Sequence, residues 1–317
     1  MFESSSPTLR RLHHWLAPIV AGGTVTVARF QQVCGVTSDF TNSHTPPSPD
    51  GSPSHSPIRT IRFPLLYYFF MTAAAAGNEL FYIVALPSLF WLVNVDLARR
   101  MIITWGIIYY VGQSAKDLLK LPRPQSPPVT RLESHYETEY GFPSTHAMVS
   151  FTLPLYALFC LERIGIEPNW TIGFICCFLW CASITLSRLY VGVHSPCDLV
   201  GGLLLGLLVL GIGLTIGEPV DAFLISHPLA PAVAILVSIF TIWSYPSPAA
   251  WTNAYGDTAL IIAVVAGVCC GQCVYFNREP ALSYHIQGET FTQQFQSACG
   301  IFILIVLRLV IGCGQYQ

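Results

Sequence analysis

The stretch SRLYVGVHSPCD, Ser187–Asp198, joins two apolar runs over 170–187 and 195–216. It places an arginine, a histidine and an aspartate at the hinge between segments otherwise made of hydrocarbon. Two further stretches share this character. KDLLKLPRP, Lys116–Pro124, closes an apolar run over 98–117, and PSTH, Pro143–His146, opens another over 144–161. Ionisable groups at the edge of a membrane are costly to hold, so a dense cluster of them points to function.

Composition agrees with a membrane setting. The chain has 317 residues, 53% of them hydrophobic and 10% charged, with a mean hydropathy of +0.55. A soluble domain carries about 25% charge. We expect an all-α, polytopic membrane protein, because helices close their backbone hydrogen bonds internally in lipid and the alternation of a membrane barrel is absent. The net charge of -2, with no basic stripe and no zinc-finger spacing, argues against a nucleic-acid partner. The eleven cysteines fall mostly in apolar runs and read as small buried hydrophobes. Cys177 and Cys181, like Cys269 and Cys273, lack the His or carboxylate neighbours of a metal site, so no metal or other cofactor is expected. Leu12–Val20 is short and holds histidines and a proline, unlike a signal peptide.

The organisation divides into three parts. Residues 1–60, with the Pro- and Ser-rich Thr41–Pro57, read as a disordered cytosolic segment. Residues 61–216 read as a six-helix core, and 217–317 as about three additional transmembrane helices. Phe63–Val93 is either one long helix or two bent at Gly77 and Asn78. As a single helix it measures about 45 Å against a hydrocarbon core of about 30 Å, which favours the bend. Further spans are expected near 228–246, 255–276 and 296–314, the last holding Arg308. Placing Arg10, Arg11, Arg59, Arg62, Arg99, Arg100 and Arg163 on the cytosolic side favours nine helices over eight. It puts the loop 118–143 and the turn 188–194 together on the other side. The sequon at Asn169 is then cytosolic and unmodified. Glu218, Asp221, Asn253 and Asp257 read as loop or helix-end residues. Asn78 and Glu79 are either a turn cap or part of a head-group pocket. Glycines 192, 201, 202 and 206 suit close helix approach.

Each polar stretch has a plain reading and a chemical one. Lys116 and Lys120 can anchor a helix end at the interface, or Lys116 can join Arg123, stiffened by Pro122 and Pro124, in binding phosphate. Ser144 suits an N-cap, and the first helical turn it opens favours anions. His146 in that turn is interfacial or functional. His194 and Asp198, four apart, are expected on one face of a helix. There the aspartate would fix the imidazole tautomer and free the other nitrogen to attack.

The spacing K-x6-R-P, P-S-x-H and S-R-x5-H resembles the three-part signature of the type 2 phosphatidic acid phosphatase superfamily, integral-membrane lipid phosphatases. The wording GNELFY, VGQSAKD, KLPRP and ETEYGFPSTH is similar to its sphingosine-1-phosphate phosphatase branch. The resemblance runs from Ile61 onward. It implies His194 as nucleophile, Asp198 as its orienting partner and His146 as general acid. Lys116, Arg123, Arg188 and Ser144 become the phosphate-binding set, with no metal and a lipid phosphate as substrate. It also implies the endoplasmic reticulum membrane with the site facing the lumen. Thr145 stands where the family usually has glycine, which implies a changed head-group pocket. The chemistry of the residues alone leaves open a broad lipid or polyprenyl phosphate phosphatase, head-group transfer to a lipid alcohol, and a non-catalytic transporter or scaffold. Oligomeric state is not legible.

Overall fold

The computed structural model describes residues 7–39, 58–133, 139–246 and 253–278. The elements are α1 (Pro7–Val33), β1 (Val36–Asp39), β2 (Ile58–Ile61), α2 (Pro64–Gly77), α3 (Glu79–Leu92), α4 (Val95–Leu119), α5 (Thr145–Arg163), α6 (Trp170–Tyr190), α7 (Pro196–Ser226), α8 (Ala230–Trp243) and α9 (Asn253–Arg278). Helix starts follow local chemistry. Asn94, Ser144 and Asn169 each accept a backbone N–H of the first turn, and Ser195 and Asp198 form a reciprocal capping box.

Among the described residues, three helices are long and apolar enough to cross a membrane: α6, α7 and the Ala254–Gly271 part of α9. The α2–α3 pair, bent by 63° at Asn78, makes a fourth. This confirms the bend and corrects the count of six core spans plus about three. The deficit has a physical reason. α4 carries Asp96, Arg99, Arg100, Lys116 and Asp117, and α5 begins with Thr145 and His146, so the helices that carry polar groups lose apolar character. α8, at 14 residues, is short. The expected span at 296–314, with Arg308, lies outside the described residues. The boundary expected at 216/217 falls inside α7.

α5 is the hub, packing on α4, α6 and α7. Glycine makes its contact with α7 close. A Cβ at Gly202 would collide with the Ser144 carbonyl, and one at Gly206 would lie 2.9 Å from Thr152 Oγ1. The main core fills the space between α3, α4, α5, α7 and α9 with Tyr82, Trp105, Tyr109, Met148, Leu153 and Ile261. Far from the polar stretches, Arg99 is fully buried. Its Nε and Nη2 donate to the two Asp221 oxygens at 2.7 and 2.9 Å. Arg100 pairs with the same carboxylate at 2.8 Å. Asp221, read from the sequence as a loop or helix-end residue, lies near the end of α7 and is a buried tie between α4 and α7.

The preface is the largest correction to the sequence reading. Pro7–Val33 is helical, and Val20, Thr24, Val27, Ala28 and Gln31 form its buried stripe at helical spacing. β1 and β2 pair antiparallel, so the chain is not purely helical. The Pro- and Ser-rich Thr41–Pro57 lies outside the described residues. Gln31 secures α1 by donating to the carbonyls of Thr130 and Tyr190 at 2.6 and 2.8 Å and accepting from the Thr130 N–H at 2.9 Å. Gly23 lies against Ser195. Arg59 Nη1 donates to the Leu132 carbonyl at 3.5 Å. α1 and the ribbon thus lie at the end of the bundle that holds Arg123 and His194. Arg99 and Arg100, on Asp221, and Arg163, on Glu218 at 3.3 Å, lie at the other end. The grouping of all these arginines on one side fails for this reason.

Removing the Asp221 charge leaves two guanidinium groups without their shared partner. Asp221→Asn is expected to cost about 3–5 kcal/mol of stability, read as a lower midpoint of thermal unfolding in detergent. An unchanged midpoint contradicts the tie.

Candidate active site

Four helix ends meet at one place. α4 brings Lys116 in its last turn, α5 brings Ser144 and His146 at its start, α6 brings Arg188 in its last turn, and α7 follows His194 and carries Asp198. Arg123 arrives from the α4–α5 connection. All seven sequence candidates are buried, and Ser144, Arg188, His194 and Asp198 have no exposed surface. The Ser144 N–H donates to the Asp198 carbonyl at 3.0 Å, which locks the start of α5 to the start of α7. Lys120, the other lysine of its stretch, is the left-handed C-cap of α4 (φ 51°).

His194 precedes the helix instead of lying on its face with Asp198, because Ser195 is the N-cap and Pro196 the first helical residue. The turn before it needs glycine. Gly192 has φ 79°, and a Cβ there would lie 2.6 Å from the Thr130 carbonyl. The imidazole is held from both sides. Arg123 Nη1 lies 3.4 Å from Nε2 and also donates to the Val193 carbonyl at 3.0 Å. Arginine has no acceptor, so Nε2 accepts and carries no proton. The proton then resides on Nδ1, which faces Asp198 Oδ2 at 3.5 Å. That oxygen also accepts the Ser195 N–H at 2.6 Å. Asp198 therefore serves the helix cap and the imidazole together. Burial first, then the charges of Arg123, Arg188 and Lys116, hold the His194 imidazole well below the ordinary histidine value. It is neutral near pH 7, as a nucleophile requires.

The His146 ring centroid lies 6.3 Å from that of His194. Its Nε2 meets Asn78 Oδ1 at 3.1 Å, so the residue at the α2–α3 bend touches the candidate site. Lys116 Nζ donates to Thr145 Oγ1 at 3.3 Å, and the Thr145 methyl lies over Gly112. Where the family usually has glycine, this chain has a hydroxyl that orients the lysine.

Two carboxylates escaped the sequence reading. Glu139 Oε2 lies 3.2 Å from Arg123 Nη2 and 3.7 Å from Lys116 Nζ, and its carbonyl accepts from Arg123 Nε at 3.0 Å. Glu133 Oε2 lies 3.5 Å from Arg188 Nη2. Glu139 lies in the ETEYGFPSTH wording without having been singled out, and the signal for Glu133 was acidity in a connection flanked by required cations. Among the described residues no group of three or more His, Cys, Asp or Glu side chains is arranged to hold a metal ion.

A neutral imidazole, a second imidazole beside it and three cations gathered at the same helix ends can receive a phosphoryl group and stabilise its charge. Residues 97–219 match the PAP2 superfamily model, and the chain belongs to that superfamily. It is 34% identical over 249 residues to sphingosine-1-phosphate phosphatase 2 of Mus musculus, covering 77% of this chain and 66% of that protein. It is 39% identical over 209 residues to sphingosine-1-phosphate phosphatase 1 of Mus musculus, covering 65% and 48%. Lipid phosphate phosphatase delta of Arabidopsis thaliana is 33% identical over 212 residues, covering 64% and 51%. The chain thus spans between about half and two thirds of the length of these curated relatives. A crystal structure of a transmembrane PAP2-type phosphatidylglycerolphosphate phosphatase from Bacillus subtilis aligns with a TM-score of 0.47 at 17% identity, covering 67% of this chain and 95% of that one.

Because His194 must be neutral to attack and its pKa is depressed, the acid limb of kcat/KM is expected below the ordinary histidine value of about 6.5. The profile is read after dividing out the substrate's own ionisation near about 6. A limb at or above the ordinary histidine value contradicts the geometry.

Proposed function

We propose that this chain is a lipid phosphate phosphohydrolase acting on sphingosine 1-phosphate and dihydrosphingosine 1-phosphate through a phosphohistidine. The observation that carries the reading is the placement of His194. Its Nε2 faces Arg123 at 3.4 Å, with Asp198 behind it at 3.5 Å and Lys116 and Arg188 at the same meeting of helix ends.

In the first half of the reaction, His194 Nε2 bonds to phosphorus as the bond to the lipid oxygen breaks. His146, protonated once the phosphate dianion is bound beside it, gives that oxygen its proton, and the lipid leaves as an alcohol. In the second half, water attacks phosphorus, His146 takes a proton from it, and the bond to Nε2 breaks to release inorganic phosphate. Lys116, Arg123 and Arg188 offset charge on the non-bridging oxygens throughout, with the first turn of α5 adding N–H dipoles. This supports turnover without a metal ion. The apolar spans suit a substrate whose tail stays in lipid while its head reaches the helix ends. The sphingoid tail rests on the names of the Mus musculus relatives. Residence in the endoplasmic reticulum membrane with a lumenal site rests on the resemblance.

The test is phosphate release in detergent micelles from sphingosine 1-phosphate, dihydrosphingosine 1-phosphate, phosphatidate and a polyprenyl diphosphate, all with a chelator. The sphingoid phosphates are expected to be preferred and the chelator to have no effect. His194→Ala is expected to lose at least about 10⁴-fold. Equal turnover of phosphatidate would move the assignment to a broad lipid phosphatase, the reading that the Arabidopsis relative's name favours. Unaltered behaviour of His194→Ala would leave a transporter or scaffold.

A further inference from the structure

Glu139 is an anomaly in a site built for an anion. It is buried, its side chain being 8% exposed, and one of its oxygens contacts both Arg123 and Lys116. A bound phosphate claims those same cations. Among the described residues Lys116 and Arg123 are paired with Glu139, and Arg188 with Glu133, before substrate arrives. A phosphate dianion competes with Glu139 for Lys116 and Arg123. A carboxylate left beside it without a new partner is strongly disfavoured. The site therefore favours a substrate that brings a positive charge close to its own phosphate.

We infer that Glu139 is the specificity-determining residue for a cationic group on the substrate, receiving an ammonium that lies beside the phosphate ester. This deepens the proposed function and rests on it. A sphingoid phosphate carries its ammonium on the carbon next to the one that bears the ester oxygen, whereas phosphatidate and simple alkyl phosphates carry none. Position selects Glu139 over Glu133. Arg123 contacts Glu139 with Nη2 and His194 Nε2 with Nη1, so Glu139 is one guanidinium away from the reacting nitrogen. Glu133 meets Arg188 alone among the clamp cations and is more exposed, at 19%. On binding, phosphate takes the guanidinium and the ammonium takes the carboxylate. The two ion pairs of Glu139 in the free site, with Lys116 and Arg123, give way to pairs of those cations with the phosphate and of the carboxylate with the ammonium.

The experiment measures kcat and KM for sphinganine 1-phosphate and for octadecyl phosphate, which has the same chain length and no amine, with wild type, Glu139→Gln and Glu139→Asp. In Glu139→Gln, KM for sphinganine 1-phosphate is expected to rise about tenfold or more, while KM for octadecyl phosphate falls because the cations are released. Glu139→Asp keeps the charge and is expected to keep part of the preference. Parallel loss on both substrates overturns the assignment and leaves Glu139 as a support for Arg123. Should the Gln variant not fold, wild type alone decides. N-acetylated sphinganine 1-phosphate, whose nitrogen is uncharged, is expected to show the raised KM, and an unchanged KM overturns the inference. If wild type hydrolyses neither lipid, the proposed function itself fails. If it hydrolyses both and the variant moves them together, the phosphatase reading stands and only the role of Glu139 falls.

Discussion

Burying three cations at the end of an apolar bundle is unfavourable unless each meets an opposite charge, and the site is arranged around meeting that need. Glu139 serves Lys116 and Arg123, and Glu133 serves Arg188. These pairs fix where the α4–α5 connection lies, and the connection in turn brings Arg123 against His194. The same logic operates at the far end, where Asp221 binds Arg99 and Arg100 and ties α4 to α7. Helix ends in this protein are placed by charge pairing, and the apolar faces between them are drawn together by size, through Gly202 and Gly206 on α7.

The geometry of the candidate site follows from the fixed ends. The Ser144 N–H on the Asp198 carbonyl couples two helix starts, so the imidazoles of His146 and His194 are set relative to each other by backbone. Asp198 spends one oxygen on the Ser195 N–H and the Nδ1 side of His194. The group that begins the helix therefore also sets the tautomer. Thr145 extends the scheme, since its hydroxyl receives Lys116 where a glycine would leave the ammonium to other partners.

Much of this was legible in the sequence, and the exceptions have physical causes. Ser144 announced itself as an N-cap, the bend at Asn78 was visible in Gly77-Asn78-Glu79, and the seven candidate residues that the structure brings together were marked by their spacing. The span count was overestimated because a helix that carries site residues is not uniformly apolar, as α4 shows. Asp221 looked like a helix-end residue because its partners, Arg99 and Arg100, lie more than a hundred positions earlier. α1 looked like part of a disordered preface because its stripe of Val20, Thr24, Val27, Ala28 and Gln31 mixes polar and apolar residues. It is held as much by Gln31 hydrogen bonds as by hydrophobic burial. Glu133 carried no motif, and Glu139 lay in the ETEYGFPSTH wording without being singled out, since the role of each depends on where the cations end up.

The central claim is that His194 Nε2 forms a covalent bond to phosphorus. Its most direct test is to mix the protein with sphinganine 1-phosphate carrying radioactive phosphorus, quench in alkali within a turnover, and map the labelled peptide. A phosphohistidine survives alkali and is lost in acid. The account predicts label of that stability on the peptide containing His194. Label on another residue, or full turnover with no labelled protein at any quench time, would contradict it.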